Sequence, residues 1–453
     1  MLLDDPAVRP TLPPGPPLSA TQQTLRWLAR PYQFLRQCAE QLGDAFTLDF
    51  GSHGAYVLFS RPETIRAIFL GDTAQLHASA GNAILRPLLG PNSLLLLEEQ
   101  HHLDERRTLL RAFHGTPLGD HGPLLRALTL DAVRDWTPGQ SVVIQDVGQG
   151  IALEVIWQIV FGPDAGEQTG ALKRQLRSLL NDPRLNLALF GQLRSDPGLT
   201  AAWPAFRQQL EHLDRHLYAE IDRRRQSGRA DGGVLNTLLA VGDEEGSPLS
   251  DSTLRDEVLT LLITGYETTA TALAWAFSWV HREPEVLCRL REELASVGSE
   301  PAALTRLAYL DAVCKETLRI QPVVPLVARL TRRQPLHLQG YAIPAGVTVA
   351  PCIYLTHHRE DLYHRPDAFR PERFLDREYS PYEFLPFGGG VRRCLGMSLA
   401  LYEMKVVLGL ILQRFDLHPA VGETVRPVRR VVTIGPSGGT RLTVTRARAH
   451  PWT

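Results

Sequence analysis

The sequence predicts a mainly α-helical protein with a minor β portion, folded as one compact body with small β-sheets. Three observations carry that expectation. Most of residues 100–320 repeats its apolar positions at helical spacing. From Leu336 to Ala350 the chain changes to short β segments, broken by Gly340 and by Ile343-Pro344-Ala345-Gly346. No internal repeat and no long Gly/Ser linker separates these regions. The chain has 453 residues, 44% of them hydrophobic and 21% charged, enough to enclose a large core.

Taken in order, Met1–Ala20 holds Pro10 and the cluster Pro13-Pro14-Gly15-Pro16-Pro17, and it predicts an extended leader ahead of a single domain over 21–453. It has neither a basic start nor a long apolar run, so no signal peptide is expected. Thr21–Leu42 predicts a helix. Phe46–Leu48 and Tyr56–Phe59 alternate around Gly51-Ser52-His53-Gly54, the pattern of a hairpin. Pro62–Leu70 predicts a helix with proline in its first turn. Loops are expected near Asp196-Pro197-Gly198 and over Ser227–Gly233. A long helix is expected from Asp251 to Arg282, capped by Ser250 or Asp251. His357–Gly390 is a long irregular stretch rich in proline and aromatic residues, a length that usually serves function. A helix over Met397–Phe415 and a strand–turn–strand over Val431–Thr445 close the chain.

A formal net charge of −1 gives no overall field that would favour nucleic acid or an anionic membrane. The five cysteines, Cys38, Cys288, Cys314, Cys352 and Cys394, are scattered and include no Cys-x-x-Cys pair. That excludes a zinc ribbon and a disulfide framework and fits a reducing, cytoplasmic setting. No run approaches 18 uninterrupted apolar residues, so no membrane anchor is expected.

The chemistry concentrates at Phe387-Gly388-Gly389-Gly390-Val391-Arg392-Arg393-Cys394-Leu395-Gly396. The expected helix from Met397 places Cys394 just before a helix N-terminus, where free N–H groups and the helix dipole favour a thiolate. Gly388, Gly389, Gly390 and Gly396 leave room for a flat macrocycle to approach the backbone. A lone cysteine beside a glycine loop is most often structural. The joint pattern Phe387-x-x-Gly390-x-Arg392-x-Cys394-x-Gly396 is different, with a chance occurrence on the order of 1 in 10,000 from average residue usage.

This segment resembles the haem-binding signature of the cytochrome P-450 superfamily, of the soluble bacterial type. The resemblance implies haem b (iron protoporphyrin IX) with Cys394 as the axial ligand to iron. It makes Arg392 a propionate partner and sets Phe387 and Gly388 beside the sulfur. Three further segments match in the same order along the chain. His102 and Arg106, i and i+4 on an expected helix, and Arg329, after Pro322 and Pro325, match propionate-binding positions. Glu316 and Arg319 of Lys315-Glu316-Thr317-Leu318-Arg319, with Arg373 of Pro371-Glu372-Arg373-Phe374, match a structural Glu-Arg-Arg triad. Taken alone, the Glu316–Arg319 spacing is that of an ordinary surface pair. Thr264-Gly265-Tyr266-Glu267-Thr268-Thr269 matches the oxygen-activating helix, with Glu267 and Thr268 as the acid–alcohol pair that delivers protons. Apart from the resemblance, the same residues read as a kink with threonines bonded back to the preceding turn. Thr264 departs from the family pattern, which has Ala or Gly there.

The resemblance implies a monooxygenase, a hydroxylase that inserts one atom of O2 into a lipophilic substrate such as a fatty acid or terpenoid. Electrons would come from a ferredoxin and its reductase, because no flavin or iron–sulfur motif follows Cys394. Arg107, Arg111, Arg393 and Lys405 are the expected docking cations, and the enzyme is expected as a monomer. By family position the substrate pocket draws on Leu85, Ile263, Thr264, Val324, Val327 and Ile434, a set without a charged anchor. Two other readings of the same fold are a peroxide-using peroxygenase or isomerase, against which Glu267-Thr268 speaks, and a non-catalytic haem sensor.

Overall fold

The computed structural model describes residues 12–114, 118–162, 169–180, 182, 203–227, 232–241, 247–420, 422, 424–430 and 432–448. The expected loop at Asp196-Pro197-Gly198 lies outside the described residues, as do residues 228–231 of the second expected loop.

The helix expected from Asp251 runs from Asp251 to Val280. Ser250 caps it, its hydroxyl accepting from the Thr253 amide at 3.1 Å. Its residues are apolar on nearly every side, so it is buried along most of its length and forms the axis of the largest core cluster. The helix Ile144–Phe161 crosses it at two glycines. A Cβ at Gly148 would stand 3.1 Å from the Ala270 backbone, and one at Gly265 would stand 2.9 Å from Ile156. Gly265 therefore serves helix–helix contact. The helix Met397–Arg414 packs on the same core and ends where expected.

The single helix expected over Thr21–Leu42 is instead two, Ala20–Ala29 and Pro31–Leu42. Pro31 has no N–H and drives Arg30 out of the helical region, to φ −145° and ψ 67°. The first helix begins inside the expected leader, with Ser19 and Gln22 forming a reciprocal capping box. Pro13 and Pro14 are bonded to the sheet: the Thr47 hydroxyl donates to Pro13 O at 2.6 Å, and the Thr47 amide to Pro14 O at 3.0 Å.

The main sheet has the order β1 (Ala45–Asp49), β2 (Ala55–Phe59), β8 (Thr348–Pro351), β5 (Arg329–Thr331), β3 (Leu76–His77). The expected hairpin is its β1–β2 pair, with Phe46 opposite Leu58. β2 and β8 run parallel, and the segment expected as broken β structure supplies β6 (Leu336–Leu338), β7 (Tyr341–Ile343) and β8. At the C-terminal end β11 (Thr433–Pro436) and β12 (Arg441–Ala447) are both strands, but they do not pair with each other. β11 pairs with β10 (Pro427–Arg430), and β12 with β4 (Ser141–Val143) and β9 (Phe415–Pro419). Positive φ at Gly438, Gly439 and Thr440 swings the chain from one sheet to the other.

Candidate active site

A cavity of about 790 Å³ separates the central helix from the loop that carries Cys394. Leu261, Thr264, Gly265, Thr268 and Ala272 of the central helix form one wall. Residues 386–389 and 392–396 form the facing wall, and the turn Val323–Arg329 with Ile434 closes one side.

The thiolate loop is built by backbone bonds and by glycine. The Cys394 amide donates to Phe387 O at 3.0 Å, and the Gly388 amide to Leu385 O at 3.0 Å. Gly390 has φ +63°, and a Cβ there would stand 2.2 Å from Phe69 O, while one at Gly389 would strike the Phe69 ring. These two glycines let the loop lie on the helix Pro62–Leu70. Gly388, with φ +66°, faces open space toward Val327. Cys394 is open to the cavity although protein surrounds it. Burial pushes its thiol up, opposed by the Gly396 amide and by Arg106 and Arg393. The net direction is upward, with burial outweighing the Gly396 amide, which acts in the direction expected of the helix terminus. A metal cation bound at the sulfur would supply the opposing charge.

His102 and Arg106, on the helix Glu99–His114, join Arg329 and Arg392 in lining the cavity that Cys394 opens to. Burial, then Arg392, Arg106 and Arg329, push His102 down to about 3, and burial with Arg392 lowers Arg329 to about 10. Arg392 is also tied to the Leu94–Glu98 segment, forming an ion pair with Glu98 and donating to Leu94 O and Leu97 O. No Asp or Glu is among the described residues that line the cavity. A thiol open to a largely apolar cavity whose wall also holds mutually repelling arginines fits a metal macrocycle that carries carboxylates.

On the central helix the two members of the expected acid–alcohol pair part company. Thr268 lines the cavity and its hydroxyl donates back to Thr264 O at 2.7 Å; the Thr264 hydroxyl likewise donates to Thr260 O at 2.6 Å. Glu267 does not line the cavity. Its carboxylate accepts from Gln149 Nε2 at 2.7 Å and lies 3.8 Å from Arg430 Nη1, with Gln145 and Thr271 each at 3.4 Å. Burial raises its pKa, while Gln149, Arg430 and Thr271 hold it down. Sequence reasoning missed Gln149, Arg430 and Glu98. Gln145 and Gln149, four apart and therefore on one face of the helix Ile144–Phe161, were the available signal.

Of the expected pocket residues, Thr264, Val324, Val327 and Ile434 line the cavity. Leu85 and Ile263 do not. Leu85 is buried in the core cluster while its neighbours Ala83 and Ile84 reach the cavity, and Ile263 packs against the core one position off the Thr264 face.

Glu316, Arg319 and Arg373 meet in the interior. Arg319 grips Glu316 at 2.7 and 2.8 Å, both side chains at 0% exposure, and Arg373 Nε lies 3.0 Å from Glu316. The Arg370 amide donates to Glu316 at 2.8 Å. Arg319 also donates to His357 O at 2.7 Å, and His357 Nε2 accepts from the Leu385 amide at 3.0 Å. This chain of bonds runs from the buried pair to the foot of the thiolate loop. Of the expected docking cations, Lys405 pairs with Asp311 at 3.0 Å and Arg107 with Asp104 at 2.9 Å. Arg393 donates to Met397 Sδ, and Arg111 is exposed.

The family model of cytochrome P-450 matches residues 10–439. A Mycobacterium tuberculosis protein assigned as cytochrome P-450 135B1 is 36% identical over 445 residues, covering 96% of this chain and 92% of its own. Another from that organism, assigned as cytochrome P-450 135A1, is 34% identical over 439 residues, covering 95% and 94%. Among solved structures, a retinoic acid-bound cyanobacterial CYP120A1 superposes with a TM-score of 0.84 at 26% identity, covering 97% of this chain and 100% of that one. No helix among the described residues is long and apolar enough to cross a membrane. The fold, the thiol-bearing loop and these relatives agree: the chain belongs to the cytochrome P-450 family of haem-thiolate monooxygenases.

Proposed function

We propose that this monooxygenase hydroxylates a lipophilic substrate, using haem b held by Cys394 and electrons from a ferredoxin and its reductase. The observation that carries the reading is the cavity of about 790 Å³, lined largely by apolar side chains between the thiol at one side and Thr268 at the other. When bound, the haem supplies the chemistry that cleaves dioxygen and inserts one oxygen atom, with electron density donated by the sulfur.

The protein's own residues have narrower tasks. Cys394 would ligate the iron. Arg106, Arg329 and Arg392 would neutralise the propionates, His102 would donate a hydrogen bond to one of them, and Arg392 also keeps the Leu94–Glu98 segment against the loop. Phe387 and Gly388 shape the space beside the sulfur. Thr268 Oγ1 turns from Thr264 O to present its proton in the cavity. Glu267 replenishes that proton from the side of Gln149 and Arg430. Glu316, Arg319 and Arg373 hold the loop in place. The five free cysteines fit a cytoplasmic setting.

The test is a panel of lipophiles screened for the low-to-high spin shift of the haem, followed by product analysis with ferredoxin and reductase. A ligand that shifts the spin state and is then hydroxylated supports the reading. Turnover with peroxide but none with reductant and dioxygen would replace it by a peroxygenase.

A further inference from the structure

Two acids between the central helix and the helix Glu99–His114 take no part in the proposed function. Glu257, on the central helix, is at 0% exposure, and neither of its carboxyl oxygens has a hydrogen-bond partner among the described residues. Glu105, on the other helix, is half-buried, and its Oε1 is inaccessible and likewise without a partner among them. Glu105 acts electrostatically on Glu257, as does Asp256, and the Leu94 amide opposes them. Asp256 is itself engaged, accepting from the Asn92 amide and side chain and from Arg255. Among the described residues no cation acts on Glu257.

A carboxylate buried without a donor costs far more than the neutral acid, and a second carboxyl beside it adds to the cost. Burial accordingly pushes both Glu257 and Glu105 up from the usual carboxylate range. Glu257 therefore carries a proton in the interior, and Glu105 stands between it and solvent.

The Leu94 amide brings the Glu257 carboxyl to the residue that follows Ser93. Ser93 is fully buried, and its Oγ accepts from Thr260 Oγ1 at 2.7 Å. Thr260 lines the cavity, as do Thr264 and Thr268 on the same face of the helix. At rest each of the three hydroxyls bonds back to the preceding turn, at 2.6 to 2.7 Å. They stand at i, i+4 and i+8, about 6 Å of helix rise apart, a gap that one water molecule spans. Thr264 is the residue that departs from the family pattern, and its hydroxyl is the middle rung. Alanine or glycine there would leave about 12 Å between Thr260 and Thr268.

We propose that Glu105 and Glu257 form a second proton entry to the cavity, separate from Glu267, which passes protons from solvent through Ser93 and Thr260 to Thr264 and Thr268. In each passage the Glu257 carboxyl gives its proton to a hydroxyl oxygen of the Ser93–Thr260 pair, whose own proton moves on into the cavity. The carboxylate left behind takes the proton of Glu105, and Glu105 takes one from water. No electron moves. This deepens the proposed function and rests on its placement of the haem at Cys394.

The test compares haem-loaded wild type with Glu257→Gln, Glu105→Gln, Thr264→Val and Glu267→Gln, and with Glu257→Gln combined in turn with each of the last two. The infrared carboxyl stretch is read on the resting proteins. Dioxygen is then reduced with a plant ferredoxin, its reductase and NADPH, without organic substrate. A full proton supply yields water, and a short one yields hydrogen peroxide. The difference spectrum of wild type and Glu257→Gln contains one protonated-carboxyl stretch that shifts in deuterium oxide. The peroxide fraction rises about threefold in Glu257→Gln, Glu105→Gln and Thr264→Val, a modest change because Glu267 still supplies protons. Adding Thr264→Val to Glu257→Gln raises it no further, since both lie on one route. Adding Glu267→Gln raises it beyond the product of the single effects, since the two routes run in parallel. A wild-type peroxide fraction in Glu257→Gln and Glu105→Gln would overturn the proposal. Absence of the carboxyl stretch, or independent effects of Glu257→Gln and Thr264→Val, would also overturn it. A wild type that lacks the thiolate carbonyl spectrum refutes the haem placement instead, and the infrared difference still reads the carboxyl pair.

Discussion

At the residue scale, the roles proposed for Cys394 and Thr268 each depend on a neighbour that its own segment does not name. The cysteine was legible because its motif is local: loop glycines, Arg392 and the following helix all lie within a few residues. Glu98, which pairs with Arg392, and Gln149 and Arg430, which hold Glu267, were not legible. Their roles arise only when separate helices and strands pack together, and one sequence carries no record of that packing. The acid–alcohol pair illustrates the difference. Adjacent residues on a helix point about 100° apart, so Thr268 faces the cavity while Glu267 faces Gln149. Thr268→Ala should retain haem and substrate affinity but lower coupled turnover by roughly a hundredfold, the low end for a lost proton donor. Consumed reducing equivalents should then appear as hydrogen peroxide. Measured product per reducing equivalent equal to wild type would remove Thr268 from proton delivery.

The irregular segment before the thiolate loop depends, as an element, on three buried charges. The spacing of Glu316 and Arg319 is that of any surface pair, and only the resemblance singled it out. In the fold both are inaccessible, and their bonds to Arg370, Arg373 and His357 fix the segment that leads to Leu385. Arg319→Ala removes the bidentate partner of the buried Glu316, leaving it Arg373 and the Arg370 amide, and should cost about 3 kcal/mol, the low end for a broken buried pair. Denaturant unfolding checks this, and a loss under about 1 kcal/mol would contradict it. The break at Pro31 was legible in principle, because a residue before proline avoids the helix. The helical spacing on either side concealed it.

The helix Met397–Arg414 carries another buried acid, Glu403, with one carboxyl oxygen lacking a hydrogen-bond partner among the described residues. Burial pushes it up to about 8. An unfolded glutamate ionises near about 4, so between these values the folded state holds a proton that the unfolded state has lost. Stability therefore falls as pH rises through that window and levels off above about 8. Glu403→Gln should raise Tm by several degrees at the upper end of the window and leave it nearly unchanged at the lower end. A Tm difference independent of pH would contradict the assignment.

For the whole molecule, the helical body with small sheets was legible from periodicity, and the family from four segments in order. Substrate preference was not, because the cavity is lined by segments spread along the chain from Thr24 to Ile434 and its shape exists only once they pack together. The docking face is likewise a property of the assembled surface. With Lys405 and Arg107 engaged in ion pairs, Arg111 and Arg393 remain the stronger candidates for partner contact. Arg111→Glu should raise the KM for ferredoxin about tenfold at low salt and leave peroxide-driven turnover unchanged, because rim charges act mainly on encounter. Equal loss in both assays would refute a docking role.

The central claim is that Cys394 ligates a haem iron as a thiolate, and the carbonyl complex of the reduced protein tests it most directly. Wild type should show the long-wavelength absorption band of thiolate-ligated haem, and Cys394→His should bind haem without that band. Persistence of the band in Cys394→His, or its absence from folded, haem-loaded wild type, would contradict the account.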